Sequence, residues 1–129
     1  MTRFLTSAMT FLVVVLATLT VYADTPPAYV ELDDGPTIVV DWSRSSTQAV
    51  TLHGNRTFIF AKGQRGGKYL LIVKQDESGS RTVTWPTSVH WPGDQTQAPT
   101  LTTTGNKKDY ITFFYDGLTY DLVGFSQGL

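Results

Sequence analysis

Residues 56–75 read RTFIFAKGQRGGKYLLIVKQ. The opening run, Arg56–Ala61, alternates: Arg56, Phe58 and Phe60 share one face, and Thr57 and Ile59 the other. The basic, glycine-rich run Lys62–Gly67 then breaks the pattern. The closing run, Lys68–Gln75, is apolar on both faces, as in a strand at the centre of a sheet. β-Branched and aromatic side chains dominate, and these fit a pleated, half-buried surface. Nowhere after residue 23 do apolar residues recur at helical spacing without Gly, Pro or Thr between them. The stretch therefore predicts strand, loop, strand, and an all-β fold.

The same rhythm extends in both directions. Upstream, strands are predicted over Tyr29–Leu32, Thr37–Trp42 and Thr47–Leu52, with turns at Asp33–Pro36, Ser43–Ser46 and His53–Asn55. Downstream, they are predicted over Arg81–Trp85, Thr100–Thr104, Asp109–Tyr115 and Thr119–Phe125. Asp116-Gly117 is a strong hairpin signal. Pro86–Pro99 reads as a long loop holding Trp91. Eight or nine short strands separated by turn residues point to an antiparallel β-sandwich, a jelly roll or a small barrel. There is no repeat of fixed period.

Composition narrows the field by exclusion. The chain has 129 residues, 16% charged, a formal net charge of −1 and no cysteine. That length suggests one domain. The charge balance excludes a broad cationic surface for nucleic acid. The missing cysteine excludes disulfide scaffolds, zinc ribbons, iron–sulfur sites and thiol catalysis.

The N-terminus is organised differently. No charge falls between Arg3 and Asp24, and residues 4–23 are mostly apolar. Val21-Tyr22-Ala23 has the small-residue ending of a signal-peptidase site. Three readings stand: a cleaved secretory signal over 1–23, an uncleaved membrane anchor, or a leader that is neither. Residues 24–28, DTPPA, read as a proline-rich spacer before a domain over 29–129. Such a leader implies export, so the expected location is outside the cell. The membrane is reached only through an uncleaved leader.

Chemistry is sparse. The two histidines are His53, in a Gly-Asn turn, and His90, between Val89 and Trp91. Their separation gives no metal signature, and no serine sits in a nucleophile elbow. The aspartates fall at turns, where such side chains bond their own backbone. Lys62–Gly67 lacks the Gly-Lys-Ser/Thr of a phosphate loop. Asn55-Arg56-Thr57 matches a glycosylation sequon. No cofactor is expected, and no enzyme. Trp85-Pro86 and Trp91-Pro92 have two readings. Either they anchor the long loop on the core, or their exposed rings stack on sugars and partner proteins. Candidate contact residues are Trp91, His90, Gln64 and Arg65.

The ordered series of turns and Trp-Pro units resembles a β-rich domain of tailed-bacteriophage structural proteins and prophages. The resemblance covers residues 31–127. It is carried by Asp41-Trp42, Val50-Thr51-Leu52, Gly54-Asn55-Arg56-Thr57-Phe58, Gly67, Tyr69-Leu70 and Gln75-Asp76. It continues through Gly79-Ser80-Arg81-Thr82-Val83-Thr84-Trp85-Pro86, Val89 and Trp91-Pro92-Gly93. It ends with Pro99-Thr100-Leu101-Thr102-Thr103-Thr104, Lys108-Asp109 and Phe114-Tyr115-Asp116-Gly117. It implies a non-enzymatic virion β-sandwich, used as a tail-fibre or receptor-binding module or as capsid or head-fibre decoration. Such domains often form homotrimers, or pair with other virion proteins. No catalytic residues carry over. The alternative is a secreted carbohydrate-binding module or extracellular polymer subunit with a glycan ligand. A small secreted hydrolase is a third reading, and it requires His90 to touch both a carboxylate and a nucleophile.

Overall fold

The computed structural model describes residues 29–93 and 97–129. The expected leader (1–23) and spacer (24–28) lie outside the described residues. Among the described residues no helix is long and apolar enough to cross a membrane.

The alternation read in the sequence becomes nine strands among the described residues. These are β1 (Val30–Glu31), β2 (Thr37–Asp41), β3 (Thr47–Leu52), β4 (Arg56–Ala61), β5 (Lys68–Gln75), β6 (Val83–Thr84), β7 (Val89–His90), β8 (Lys108–Tyr115) and β9 (Tyr120–Ser126). They form a six-stranded sheet, in the order β1-β3-β5-β8-β9-β7, and a three-stranded sheet, β2-β4-β6. Up to β7, each turn carries the chain from one sheet to the other. A strand meets its neighbour only after a full circuit, so β1, β3 and β5 pair in parallel, as do β2, β4 and β6. The antiparallel pairs are β5–β8 and β8–β9, and β7 joins the far edge parallel to β9.

The expectation of an antiparallel sheet arrangement is therefore corrected: the six-stranded sheet is mixed and the three-stranded sheet is parallel. The physical reason lies in the turns. A short polar turn can reverse the chain within a sheet or arch it across to the other, and both leave the same residues in sequence. The circuits also differ in length: Thr37 lies opposite Thr57, but Arg56 lies opposite Val83.

Two other boundaries move. Thr100–Thr104 is not a strand. Its hydrogen bonds go elsewhere: the Thr102 N–H donates to Asp109 Oδ2 at 2.7 Å, and the Thr103 carbonyl accepts from Ser80 at 2.8 Å. The loop after Pro86 contains β7, because Val89 is buried and the Ser88 carbonyl accepts the Tyr120 N–H at 2.8 Å.

The two sheets share one core. Ile38, Val40 and Phe58 come from the small sheet, and Val50, Leu52, Leu71, Val73, Ile111 and Phe113 from the large one. Each such side chain contributes about 1.5–3 kcal/mol on burial. Phe60 links the layers, with ring centroids 5.3 Å from Phe113 and 5.1 Å from Tyr120.

Three polar side chains are buried with this core, and each ties down chain outside the ladders. Gln75 exchanges two 2.9 Å hydrogen bonds with the Arg81 backbone. Gln48 donates to the carbonyls of Asp41 and Ser45. Asp109 accepts from Thr102 and, at 2.9 Å, from Gly128.

Candidate functional site

The C-terminal ends of β2, β4, β6 and β8 gather the loops that hold all four candidate contact residues. Tyrosines organise this end. A tyrosine at a strand end buries its ring and leaves its hydroxyl for a nearby backbone group. The Tyr120 hydroxyl accepts the Gly63 N–H at 3.1 Å, and the Tyr69 hydroxyl accepts the Gln64 N–H at 2.7 Å. Gly66 donates to the Tyr115 carbonyl at 2.7 Å, and Tyr115 donates to Gly67 at 2.9 Å. Tyr115 and Tyr120 stack with centroids 4.3 Å apart. A Cβ at Gly63 would collide with Tyr120, and one at Gly67 with Tyr69. The loop backbone is thus fixed while the Gln64 and Arg65 side chains stay exposed. Burial raises the pKa of the Tyr120 hydroxyl above its ordinary value.

The 62–67 loop abuts the β8–β9 turn. There the Asp116 carboxylate accepts N–H bonds from Thr119 at 2.7 Å and Leu118 at 2.8 Å. Those bonds hold its pKa below the ordinary carboxylate value. Gly117 takes the left-handed conformation, φ 102°, that its Asp-Gly turn requires. Leu118 is 83% exposed at the tip.

Trp91 and His90 lie beside this turn. Trp91 is half-buried and meets Trp85 edge to face at 5.4 Å and Phe113 at 6.5 Å. The ring anchors the loop to the core and still forms one wall of an open depression of about 570 Å³. Trp85, Pro86, Thr87, Val89, His90 and Gly93 complete the lining. His90 is 64% exposed, with Nδ1 3.6 Å from Asp121 Oδ1. The fold therefore brings Trp91 and His90 into one depression. Gln64 and Arg65 do not line it; they project from the neighbouring loop, joined to it through Tyr120, which pairs with Val89.

Thr119 donates its hydroxyl to Asp121 Oδ1 at 2.8 Å, so the carboxylate stands between the hydroxyl and His90. A base-activated hydroxyl needs the imidazole in the middle. Among the described residues no three His, Cys, Asp or Glu side chains gather as metal ligands. His53 sits at the opposite end, 3.3 Å from Asp34.

Tyr69, Tyr115 and Tyr120 shape the site, and residue type alone does not mark them as site residues. The available signal was their position at strand ends opposite a glycine-rich run. Which tyrosine meets which glycine depends on a register that only the fold sets.

The comparisons with known proteins agree with the family resemblance. Residues 27–120 match the family model described as "Putative phage tail fibre C-terminal domain". No curated protein and no solved structure matches the chain. The matched region spans β1 through the start of β9, including the tyrosine-held loop and the tryptophan depression, and the chain belongs to this phage tail fibre C-terminal domain family.

Proposed function

We propose that the domain is a non-enzymatic adhesive module of the virion surface that contacts the host cell through its aromatic end. The family match over residues 27–120 carries this reading. The rigid 62–67 loop, the exposed Leu118 and the depression walled by Trp91 and His90 support the choice of face. Loops held by a stiff scaffold are the usual place for recognition, and tryptophan rings supply much of the energy at such surfaces.

The proposal includes assembly into a homo-oligomer, with a trimer favoured. Val39 and Ile59 lie side by side on the outer face of the small sheet and are 51% and 46% exposed. Thr37 and Thr57 flank them on one side and Asp41 and Ala61 on the other, with Asp41 paired to Lys62 at 3.7 Å, so the centre of this face is apolar and its one flanking carboxylate is paired. A second copy would cover it without stranding a charge.

The test is adsorption of the purified chain to host cells, with urea unfolding measured in parallel. Trp91→Ala is expected to weaken adsorption at least several-fold. Unchanged adsorption with lowered stability would leave Trp91 as a core anchor only and sink the choice of face. Val39→Lys is expected to shift the chain toward monomer in light scattering.

A further inference from the structure

The circuits of the chain leave one side of the fold capped and the other open. β1 and β2 belong to the first circuit, and each is the outermost strand of its sheet. The last circuit is covered: the β8–β9 hairpin pairs with β5, and Leu101, from the stretch beside Val83 of β6, packs on the core. Among the described residues no strand pairs with the outer side of β1 or β2. β1 has two residues and β2 has five, so β2 offers the longer free edge. Its backbone bonds fix which groups face outward. The Trp42 N–H donates to Ala61 and the Pro36 carbonyl accepts from Thr57, so the even-numbered residues direct their backbone groups to β4. Those of Thr37 and Val39 point the other way. Among the described residues no hydrogen bond reaches them, and both residues are exposed. Every charged side chain over residues 29–42 is acidic: Glu31, Asp33, Asp34 and Asp41. Asp34 is taken up by Arg56, and Asp41 lies 3.7 Å from Lys62. Glu31 shares a groove with Lys74 and Lys108 and forms an ion pair with neither; Asp33 has no ion pair among the described residues.

We propose that the open side of β2 takes up an extended, basic strand of a partner protein. The strand adds to the three-stranded sheet through the outward N–H and C=O groups of Thr37 and Val39. Its lysine or arginine side chains are the complement of the acidic first circuit. An exposed edge of this length is a template for pairing, and charge decides what it pairs with. A second copy is a poor occupant of this edge, because its own first circuit carries the same acidic charge. The added strand uses the edge of the small sheet. It leaves the outer face, with the Val39 and Ile59 side chains, for contacts between copies.

The experiment is amide hydrogen exchange of the full chain, read residue by residue by NMR. The probe is an extended peptide of alternating Lys and Val. Its controls are the same peptide N-methylated at every residue, and a Glu-Val counterpart. The Thr37 and Val39 amides are expected to exchange fast in the free chain and to slow several-fold with the Lys-Val peptide, but with neither control. The effect should weaken with added salt. Glu31→Lys with Asp33→Lys leaves two acidic and two basic side chains over residues 29–42 and should weaken peptide binding about tenfold. Val39→Pro removes an outward N–H and no ladder bond, so it should abolish the slowing at Thr37 with the urea midpoint showing the fold retained. Should that variant unfold, the double lysine variant decides. Amides already slow in the free chain at every dilution would show that the chain covers its own edge. Slowing that grows with protein concentration would show a second copy there. Either result, no slowing by the Lys-Val peptide, or equal slowing by a control would overturn the proposal.

Discussion

The two ends of the molecule are held by opposite kinds of chemistry. At the end where β1, β3 and β5 finish, charge does the work. Asp34 accepts both arms of Arg56, at 2.8 and 2.7 Å, and Asp76 accepts Arg81 at 2.9 Å. At the other end the loops hang on tyrosine hydroxyls and stacked rings. The difference matters for recognition. Bidentate ion pairs clamp chain to chain but leave a polar surface that salt and water screen. Tyrosines hold the loop from beneath and leave its outer side chains free. Rigidity with open side chains is what a contact surface needs.

The comparison breaks most severely in the shared aromatic core. Phe113→Ala should cost about 3–5 kcal/mol, read as a lower urea midpoint, and should loosen the aromatic end more than the charged one. A tryptophan-fluorescence transition that stays unmoved would refute this placement, since Trp85 and Trp91 both contact that ring.

A narrower change separates the ends. Gly63→Ala forces a Cβ into Tyr120 and should cost about 1–3 kcal/mol by overpacking. Tyr120→Phe keeps the ring and drops the bond to Gly63, and should cost about 0.5–1.5 kcal/mol. Tyr120 also gives this end a response to alkali. Its folded-state pKa is raised, by burial first, so the stability it contributes is complete below about pH 10. That stability fades as the pH rises through the raised value. Tyr120→Phe should therefore flatten the alkaline limb of a stability–pH curve.

The charged end has the opposite response, and the smallest expected effect. Asp34 and Asp76 have lowered pKa values, first because Arg56 and Arg81 bond their carboxylates. Their contribution is complete above about pH 4 and is lost as the pH falls through the depressed values. Arg56→Gln should reduce the slope of the acid limb and leave the alkaline limb unchanged. Equal shifts in both limbs would show that the ends do not act independently.

These features were unevenly legible in the sequence. The alternation of Arg56–Ala61 and the apolar run of Lys68–Gln75 gave the strands and the central place of β5, because side-chain period is a local property. The Asp116-Gly117 hairpin was equally plain. The parallel pairing was hidden, since His53–Asn55 looks the same whether it reverses a strand or arches between sheets. Asp34 and Arg56 meet although β2 and β3 lie between them in the chain, and Lys74 faces Lys108 only through the β5–β8 register. Of the candidate site, residue type marks Trp91, His90, Gln64 and Arg65. That they cluster at one end, and that tyrosine hydroxyls hold the loop carrying Gln64 and Arg65, follows from packing alone.

The arching path has a consequence for how the chain assembles. Among the described residues only β8 and β9 pair as immediate neighbours in the chain; every other pairing closes a loop around one or two intervening strands. Such non-local topologies fold slowly, because chain entropy is lost before the contacts reward it. The central strand β5 meets β8 only after residues 76–107 have been made. Until then a growing chain carries an apolar strand with an open edge, in a protein whose relatives belong to tail fibres. Closing that edge falls to the C-terminal hairpin of β8 and β9, which is made last.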